Sequence, residues 1–447
     1  FNMWMGSNTD KAMYKINQLG EVSPIADTST TLPDFSEGQS GGILSTGDKV
    51  YSFFKVNGDT EWHLYTIDFI TGEATFLKAF DNPAVNPGGG APYNGEIYFI
   101  VSTSTEGNEL WKTDGTPEGT VLVKDIDTSG DGIATNGFSG MVIYNNFLYF
   151  AANNGSDGIE LWKTDGSSNG TVQVANINAA GASSEPREMQ VVGDYLYFFA
   201  NNGSDNGVMY ELDSTDNLIT VINESNVYLQ GSELLGQKFY FHTGSTHNSA
   251  QIHVWDQAGK TLNSITAVDP ATHKFVFLGN LSGKIYFLAQ NTQTNNVDLY
   301  STQGTNETTQ IESSVITDNS ATDLQGGAQQ LNNKIYTSFK VSNSADSHMY
   351  LLDASGFRDV SAHFTDQVTG GSGSYEYAFF GDNKADISSY NAERIYLTLM
   401  DANNQKHTYF YSEGTVESTV KLGESVDFLT AQTGGDFATI ASVFGFT

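Results

Sequence analysis

Two stretches of the chain decide its fold. Residues 97–126 read IYFIVSTSTEGNELWKTDGTPEGTVLVKDI, and residues 148–177 read LYFAANNGSDGIELWKTDGSSNGTVQVANI. Each opens with an apolar and aromatic run, which suits the pleated, half-buried surface of a strand. A second such run follows one hairpin later, and an Asp-Gly pair then marks a tight turn, because Gly accepts positive φ and Asp binds the local backbone. Each stretch therefore predicts three short strands joined by two turns.

The same pattern recurs from end to end of the chain. One strand of each copy opens on an apolar-aromatic pair: Val50-Tyr51, Ile97-Tyr98, Leu148-Tyr149, Leu196-Tyr197, Phe239-Tyr240, Ile285-Tyr286, Ile335-Tyr336 and Ile395-Tyr396. The next strand opens on a similar pair: Met13-Tyr14, Leu64-Tyr65, Leu110-Trp111, Leu161-Trp162, Met209-Tyr210, Ile252-His253, Leu299-Tyr300, Met349-Tyr350 and Tyr409-Phe410. A third strand follows, and a fourth segment precedes the next copy. Four strands in about 50 residues is the size of one β-propeller blade.

The repeat predicts an all-β chain that forms a single β-propeller domain over residues 1–447. Its four-stranded antiparallel blades begin near residues 1, 50, 97, 148, 196, 239, 285, 335 and 395, which gives eight or nine blades. Residues 426–431 look like the inner strand that is missing before Phe1, so strands from both chain ends are expected to close the ring. The stretch 365–394 is an irregular insert, either a longer loop or a functional one. Residues 436–447 resemble the start of another copy and have no assigned place.

The composition limits the class of partner. The chain has 52 Asp and Glu against 20 Lys and Arg, a formal charge of −32, which repels nucleic acid and anionic lipid head groups. The chain has only three arginines, so few guanidinium groups are available for bidentate binding, and a strongly anionic ligand is disfavoured. The absence of Cys excludes disulfides, thiolate catalysis and Cys-ligated metals. No apolar run is long enough to cross a membrane, so we expect no membrane-spanning segment.

The strongest copies carry a motif with a known relative. Residues 109–116 read ELWKTDGT and residues 160–167 read ELWKTDGS, and a Gly-Thr-Val sequence follows each of them. This resembles the bacterial ELW-x-x-DGT repeat proteins, which are large secreted or surface proteins frequent in Bacteroidota. The resemblance implies an exported, cell-surface location associated with the outer membrane, and it implies no general activity. The motif is specific in two copies and decayed in the other seven.

Two repeated positions are candidates for function. The aromatic stripe at Trp111 and Trp162 recurs as Tyr in other copies and is better explained by packing between sheets than by ligand stacking. The residue just before each second pair forms a second series, which would lie at equal height near the rim of a ring. Its members are His63, Glu109, Glu160, Gln251, Asp298 and His348. They could bind a cation or sugar hydroxyls, or they could be solvated residues at strand starts.

One loop resembles a Ca²⁺ site. Asp125, Asp127, Ser129 and Asp131 are spaced like the oxygen ligands of an EF-hand loop, with Gly130 at the sharp turn. Position 12 of such a loop would be Asn and not the bidentate Glu that an EF-hand needs. Turn chemistry between two blades explains the same residues. Ca²⁺ is therefore a possible cofactor, and no other cofactor is indicated.

The sequence favours a binding role over catalysis. It contains no Ser-His-Asp, HExxH, phosphate-loop or dinucleotide motif. The first hypothesis is a non-catalytic, extracellular scaffold, such as an accessory subunit of an outer-membrane receptor or secretion complex. Its partner would be another surface protein, a glycan or a small nutrient. The alternatives are a propeller-fold enzyme that degrades polysaccharides and an adhesive or structural surface element.

Overall fold

The computed structural model describes part of the chain. It covers 35–359 apart from 47–48, 57–59, 69–70, 72, 82–87, 134–139, 180, 205–206, 224–226, 246–247, 270, 317–320, 324–327, 332 and 342–346. Elsewhere it covers 2–4, 13–16, 22–24, 378–379, 394–400, 406–412 and 419–423. Every regular element in these residues is a β-strand, and none of them forms a helix that could span a membrane. The chain divides into two compact units, Phe1–Ser225 and Asn226–Ala441.

The first unit contains five repeats, which we call modules 1 to 5. Module 1 has β1 (Asn2–Trp4), β2 (Met13–Ile16) and β3 (Val22–Pro24); module 2 has β4 (Phe35–Thr46), β5 (Lys49–Val56), β6 (Trp62–Asp68) and β7 (Ala74–Phe80). Module 3 has β8 (Gly88–Tyr93), β9 (Glu96–Thr103), β10 (Gly107–Thr113) and β11 (Val121–Lys124); module 4 has β12 (Val142–Tyr144), β13 (Phe147–Asn153), β14 (Ile159–Thr164) and β15 (Val172–Ala175). Module 5 has β16 (Arg187–Val192), β17 (Tyr195–Ala200), β18 (Val208–Leu212) and β19 (Leu218–Asn223).

The second unit contains modules 6 to 9. Module 6 has β20 (Val227–Leu235), β21 (Lys238–Ser245), β22 (Asn248–Asp256) and β23 (Thr261–Ile265); module 7 has β24 (His273–Leu281), β25 (Lys284–Asn291), β26 (Val297–Thr302) and β27 (Gln310–Ile316). Module 8 has β28 (Ala321–Asp323), β29 (Ala328–Leu331), β30 (Lys334–Val341), β31 (Ser347–Asp353) and β32 (Gly356–Asp359); module 9 has β33 (Ala378–Phe379), β34 (Arg394–Met400), β35 (Lys406–Ser412) and β36 (Thr419–Gly423).

These modules confirm the predicted all-β class and the antiparallel, four-stranded blade. Modules 2 to 5 are meanders of four strands in chain order, and modules 6 and 7 join into one sheet through a single pair, Ser249 opposite Phe275. Strand β33 lies within the insert 365–394 and pairs with β34, so part of that insert is a strand and not a loop. Residues 426–447 lie outside the described residues. Ring closure, blade number and a single domain therefore stay predictions.

A β-bulge recurs at one place in the repeat. The last strand of a module carries one extra residue opposite the apolar-aromatic pair of the third strand, as between Leu110-Trp111 and β11. Equivalent register shifts fall at Leu64-Tyr65, Leu161-Trp162, Met209-Tyr210 and Leu299-Tyr300. In module 3 the extra residue is Val123, which is buried in the core. Because a bulge adds twist and re-aims a side chain, it turns the last strand's apolar residue inward.

The hydrophobic core lies between successive modules. Trp111 of β10 shares one core with Phe53, Leu64 and Phe80 of module 2, and its ring meets that of Phe80 edge-on at 5.2 Å. Trp162 of β14 packs in the same way on Tyr98 and Leu110 of module 3. The equivalent tyrosines pack on modules 4, 6 and 7: Tyr210, Tyr300 and Tyr350. The interpretation of the aromatic stripe as packing is confirmed.

Candidate functional site

The glutamates of the ELW motif lie inside their modules and not at an exposed rim. Glu109 in β10 and Glu160 in β14 are both 0% exposed. The sequence left two interpretations of this position, a binding rim or a solvated strand start. The solvated strand start is wrong for these two residues, because the loop after the last strand folds back and covers each carboxylate. Ligand binding at this position stays a prediction.

Glu160 fastens the loop between modules 4 and 5. Its Oε2 accepts the backbone N–H of Ile177 at 2.8 Å and the hydroxyl of Ser184 at 2.6 Å, and Oε1 accepts the N–H of Asn178 at 3.4 Å. Burial raises the pKa of this carboxyl, and the hydrogen bonds oppose that rise because they stabilise the charged form. The side chain therefore acts as a latch from β14 to the loop.

Glu109 makes a similar latch to the loop that follows β11, but without a hydroxyl donor. The N–H of Asp127 donates to Oε1 at 3.3 Å. The N–H of Ile133 donates to the carbonyl of Asn108, just as that of Ser184 donates to Ile159, so Ile133 takes the place of Ser184. An isoleucine side chain cannot donate, and within the described part of the chain Oε2 of Glu109 has no hydrogen-bond partner.

The surroundings of Glu109 favour its protonated form. Burial, with a smaller contribution from the charge of Asp125, raises the pKa of Glu109 to about 7. The loop reaches the carboxylate closely at Gly132, where a Cβ would lie 2.2 Å from Oε1. A glycine is thus required there for the latch to form. The result is a carboxyl that titrates near neutral pH inside the protein.

Two other members of the predicted rim series, His63 and Gln251, contact neighbours within their own modules. The ring of His63 packs on that of Phe76 with centroids 5.5 Å apart. The side-chain amide of Gln251 donates to the carbonyl of Ile265 on β23. Asp298 is half-buried on β26, and His348 lies on β31 with a side chain outside the described residues.

The predicted Ca²⁺ loop is a turn whose carboxylates bind the backbone. Asp127 Oδ1 accepts the N–H and hydroxyl of Ser129 at 3.0 and 2.8 Å. Asp131 Oδ1 accepts the N–H of Asn108 at 2.9 Å, while Asp125 interacts with Glu109. No group of three or more His, Asp or Glu in the described ranges could hold a metal ion. The described contacts of Asp127 and Asp131 are turn hydrogen bonds, and Ca²⁺ binding by Asp125, Asp127, Ser129 and Asp131 stays a prediction.

The Asp-Gly turn of the motif is closed by hydroxyl groups. In module 3 the Thr113 and Thr120 hydroxyls are 2.8 Å apart, and Thr113 also accepts the N–H of Gly115. Asp114 Oδ1 accepts the N–H and hydroxyl of Thr116, whose hydrogen bonds lower the pKa of Asp114. Module 4 repeats every one of these bonds with Thr164, Thr171, Asp165, Gly166 and Ser167.

Module 7 carries a third copy of this turn that the sequence did not reveal. Residues 298–309 read DLYSTQGTNETT, with Gln303 in the place of the motif Asp. The Thr302 hydroxyl accepts the N–H of Gly304 and lies 2.8 Å from that of Thr309, as in modules 3 and 4. The spacing Thr-x-Gly followed by Thr five residues later is the signal that could have found it.

Tyrosines of modules 3 and 6 contact the turn of the next module. Gly166 in module 4 has φ +92°, and a Cβ there would lie 2.2 Å from the hydroxyl of Tyr98 in module 3. Gly304 stands in the same relation to Tyr240, at 2.7 Å. The strand-opening tyrosines therefore join modules, a role that the sequence pattern alone did not assign.

Several apolar side chains remain exposed. Phe76, Val121, Val172 and Ile311 lie on the last strands of modules 2, 3, 4 and 7, with 39–55% exposure. Ile143 and Val191 are exposed on the first strands of modules 4 and 5. They form two sets, one on each edge of the modules, that a partner could contact.

Comparison with known proteins gives fold likeness only. No family model and no curated protein match the chain. Among solved structures, Porphyromonas gingivalis dipeptidyl peptidase 4 is 10% identical with a TM-score of 0.42, covering 87% of this chain and 54% of its own. The β-propeller domain of the trilobed protease from Pyrococcus furiosus is 9% identical with a TM-score of 0.35, covering 87% and 98%. This chain thus spans about half of the dipeptidyl peptidase, and likeness of this degree carries no argument about activity.

Proposed function

We propose that this chain is a non-catalytic binding scaffold at a bacterial cell surface. The observation that carries this proposal is the use of the motif side chains. Glu109 and Glu160 hold loops, Asp114 and Asp165 hold turns, and Trp111 packs between modules. Motif residues that hold loops, turns and module contacts support a repeated structural frame whose remaining surface is free to bind a partner. The resemblance to exported ELW-x-x-DGT proteins supports the location.

The partner is an outer-membrane or surface protein, with a glycan or small nutrient as the second choice. The formal charge of −32 disfavours nucleic acid and anionic lipid as partners. Exposed aliphatic residues on strand edges favour a protein partner, because apolar contacts at a protein interface are dehydrated together. Ile143 and Val191, on the first strands of adjacent modules, are the first candidates for that contact.

One observation bears on the enzymatic alternative. A polysaccharide-degrading enzyme needs a carboxylic acid that stays protonated near neutral pH, and Glu109 has a raised pKa. The side chain is 0% exposed, however, and the loop 125–133 covers it. A general acid must reach the substrate oxygen within hydrogen-bond distance. Glu109 therefore serves the fold in this proposal.

The test is a pull-down from detergent-solubilised envelopes of the source bacterium with the tagged chain as bait. Recovery of one stoichiometric envelope protein supports the proposal. Two double variants locate the contact: I143E/V191E on first strands, and the matched control V121E/V172E on last strands. We expect the first pair to abolish capture and the second to leave it intact.

Two results contradict the proposal. One is hydrolysis of polysaccharide by the purified chain, which a glycan array with and without Ca²⁺ followed by product analysis would detect. The other is capture of further copies of the bait alone, which indicates the adhesive alternative. A glycan bound without turnover supports a binding scaffold with the second class of ligand.

A further inference from the structure

An aliphatic row crosses the first strands of modules 3, 4 and 5. Pro92, Ile143 and Val191 are each the last residue but one of their strand, and all three are exposed. They share one register, because each is opposite the residue that opens the apolar-aromatic pair of the next strand. Strand β12 adjoins β16, so Ile143 and Val191 lie on neighbouring strands. A row of exposed aliphatic residues, unlike a single one, indicates a contact surface.

Acidic residues lie before and after this row in module 5. Glu188 and Asp194 are three residues before and three residues after Val191, and Glu185 is three residues before Glu188. All of these side chains are exposed. At about 3.3 Å per residue, Glu188 and Asp194 lie within roughly 10 Å of Val191. The surface is therefore aliphatic at its centre and acidic on both sides. We call the row and these three acids the β16 surface.

The cations of modules 3 to 5 do not cancel the charge of the β16 surface. Residues 88–223 contain four Lys and Arg. Three of them interact with acceptors of the scaffold: Lys112 with Glu96, Lys163 with Asp216, and Lys124 with the carbonyl of Thr171. The fourth, Arg187, is half-buried on β16. Exposed acids therefore outnumber exposed cations beside the row, and the surface attracts positive charge.

Two of the three acids are held in a strained backbone conformation. Glu185 has φ +49° and Glu188 has φ +51°, in the left-handed region that Gly, Asn and Asp adopt more readily than Glu. The N–H of Glu185 donates to the carbonyl of Ile159 at 3.1 Å, next to the bond from Ser184 to Glu160. Glu188 lies in the β-bulge of β16. The scaffold thus fixes both glutamates at a cost in strain, which is typical of residues that contact a ligand or partner.

We propose that the β16 surface docks a polypeptide segment of the partner that has an aliphatic centre and basic ends. This inference rests on the proposed scaffold function and names the chemistry of the partner. Aliphatic side chains of the segment cover Ile143 and Val191, because apolar groups that lose water together stabilise a contact. Its Lys or Arg side chains reach Glu188 on one side of Val191 and Asp194 on the other, which sets the direction and register of the segment.

Other occupants fit the β16 surface less well. A glycan would need an exposed aromatic ring or a cleft, and the aromatic residues of strands β8, β12 and β16 are buried. They are Tyr93 and Tyr144, whose hydroxyls donate to the carbonyls of Asn146 and Asp194. A second copy of this chain carries the same acidic excess and is repelled, as are anionic lipid and nucleic acid. A basic, aliphatic segment is the occupant that matches both the charge and the apolar row.

Fluorescence anisotropy of labelled peptides added to the full chain tests this proposal. The probe is the peptide Lys-Thr-Val-Ile-Val-Thr-Lys, in which each Lys is three residues from the central Ile, as Glu188 and Asp194 are from Val191. One control peptide has Glu in place of both Lys, and the other has Ser in place of Val and Ile. At about 0.02 M NaCl we expect the probe to bind about tenfold more tightly than either control, and to lose that advantage over the Ser peptide least when salt is added.

Two matched double variants isolate the charge of the glutamates. Glu185→Asn with Glu188→Asn removes both charges, whereas Glu185→Asp with Glu188→Asp keeps them. Asn and Asp are alike in shape and both accept the left-handed conformation, so the two variants differ only in charge. We expect the Asn pair to weaken probe binding by about tenfold and the Asp pair to retain wild-type affinity. Ile143→Ser with Val191→Ser should abolish binding of the probe.

Equal affinity for the probe and the Glu peptide overturns the proposal, and so does wild-type affinity in the Asn pair. If the Asn pair does not fold, the wild-type chain decides by its salt dependence. Probe binding should weaken between about 0.02 and 0.5 M NaCl, because the attraction between exposed charges is screened. Affinity that does not change with salt overturns the proposal as well.

The envelope pull-down separates this inference from the scaffold function on which it rests. A partner that the wild-type chain and the Asn pair capture equally well supports the scaffold function and overturns docking at the β16 surface. A partner captured by the wild type and the Asp pair, and lost in the Asn pair, supports both. Capture of no partner contradicts the scaffold function, and the peptide measurements then decide docking by themselves.

Discussion

Glu109 and Glu160 hold the same place in consecutive copies of one motif, and a single neighbouring side chain separates their chemistry. The Ser184 hydroxyl donates to Glu160, whereas the side chain of the equivalent Ile133 lies in the core and has no donor for Glu109. A buried acceptor without a donor costs about 1–3 kcal/mol. Burial raises the pKa of Glu109 to about 7, and no hydroxyl equivalent to that of Ser184 opposes this rise.

Replacement of Glu109 by Gln should abolish one component of the pH dependence of stability. The folded-state pKa of Glu109 lies above its usual 4.5, so its stabilising contribution is complete below pH 4.5 and is lost as the pH rises through about 7. The loss amounts to about 3 kcal/mol. Urea unfolding between pH 4.5 and 8, followed by Trp fluorescence, measures it.

The control for that variant is Glu118→Gln, an exposed glutamate in the turn of the same module. It should keep the wild-type profile. An unchanged profile in Glu109→Gln would mean that the buried carboxyl titrates as it does in the unfolded chain.

At the scale of the element, the turn that ends each motif strand is also a contact to the previous module. The hydroxyl pair Thr164–Thr171 closes the turn, and Gly166 brings its backbone against Tyr98. Positive φ and close approach both require glycine here. The recurring bulge acts at the same scale, since it aims residues such as Val123 into the core.

Gly166→Ala should destabilise the first unit by more than Gly95→Ala does. Both glycines have positive φ, +92° and +80°, so both variants carry backbone strain of about 1 kcal/mol or more. A Cβ at Gly166 would meet the Tyr98 hydroxyl, whereas a Cβ at Gly95 has no described atom within 4 Å. Tyr98→Phe should recover part of the excess in a double-mutant cycle measured by urea unfolding. Equal losses in the two alanine variants would show that the Tyr98 contact contributes nothing.

At the scale of the whole molecule, acidic residues far outnumber basic ones. The described ion pairs use several of the few cations, as in Lys112–Glu96, Lys163–Asp216, Lys284–Glu312 and Arg358–Asp353. Most of the 52 acids must therefore repel one another across the surface. Such self-repulsion destabilises a compact chain and is screened by salt.

Salt should stabilise the protein without regard to the identity of the cation. Raising NaCl or KCl from about 0.02 to 0.5 M shortens the screening length from about 20 Å to below 5 Å. We expect an increase in Tm of roughly 2–4 °C, the shift that about 1 kcal/mol produces in units of this size. EDTA should leave Tm unchanged, since the oxygens of the loop 125–131 bind backbone and hydroxyl donors. A rise of Tm that saturates at micromolar Ca²⁺ would instead restore the Ca²⁺ loop.

The sequence by itself determined the periodic part of this protein. Apolar-aromatic pairs and Asp-Gly turns are local signals. They located the strands β5, β9 and β13 and predicted four strands in each module. The same locality explains why the aromatic stripe could be assigned to packing. It also limits the prediction, because a periodic pattern does not show which distant segment packs over a residue and buries it.

Only the tertiary structure decided what each polar residue does. The burial of Glu109 and Glu160 depends on a loop that returns from the end of the module. In the loop with Ca²⁺-like spacing, Asp131 accepts a hydrogen bond from the N–H of Asn108, which the spacing alone does not predict. The packing of module 7 on module 6 likewise brings Phe277 to His242, 35 residues earlier in the chain. These contacts arise from packing between segments distant in sequence, whereas turn and strand signals arise between neighbours.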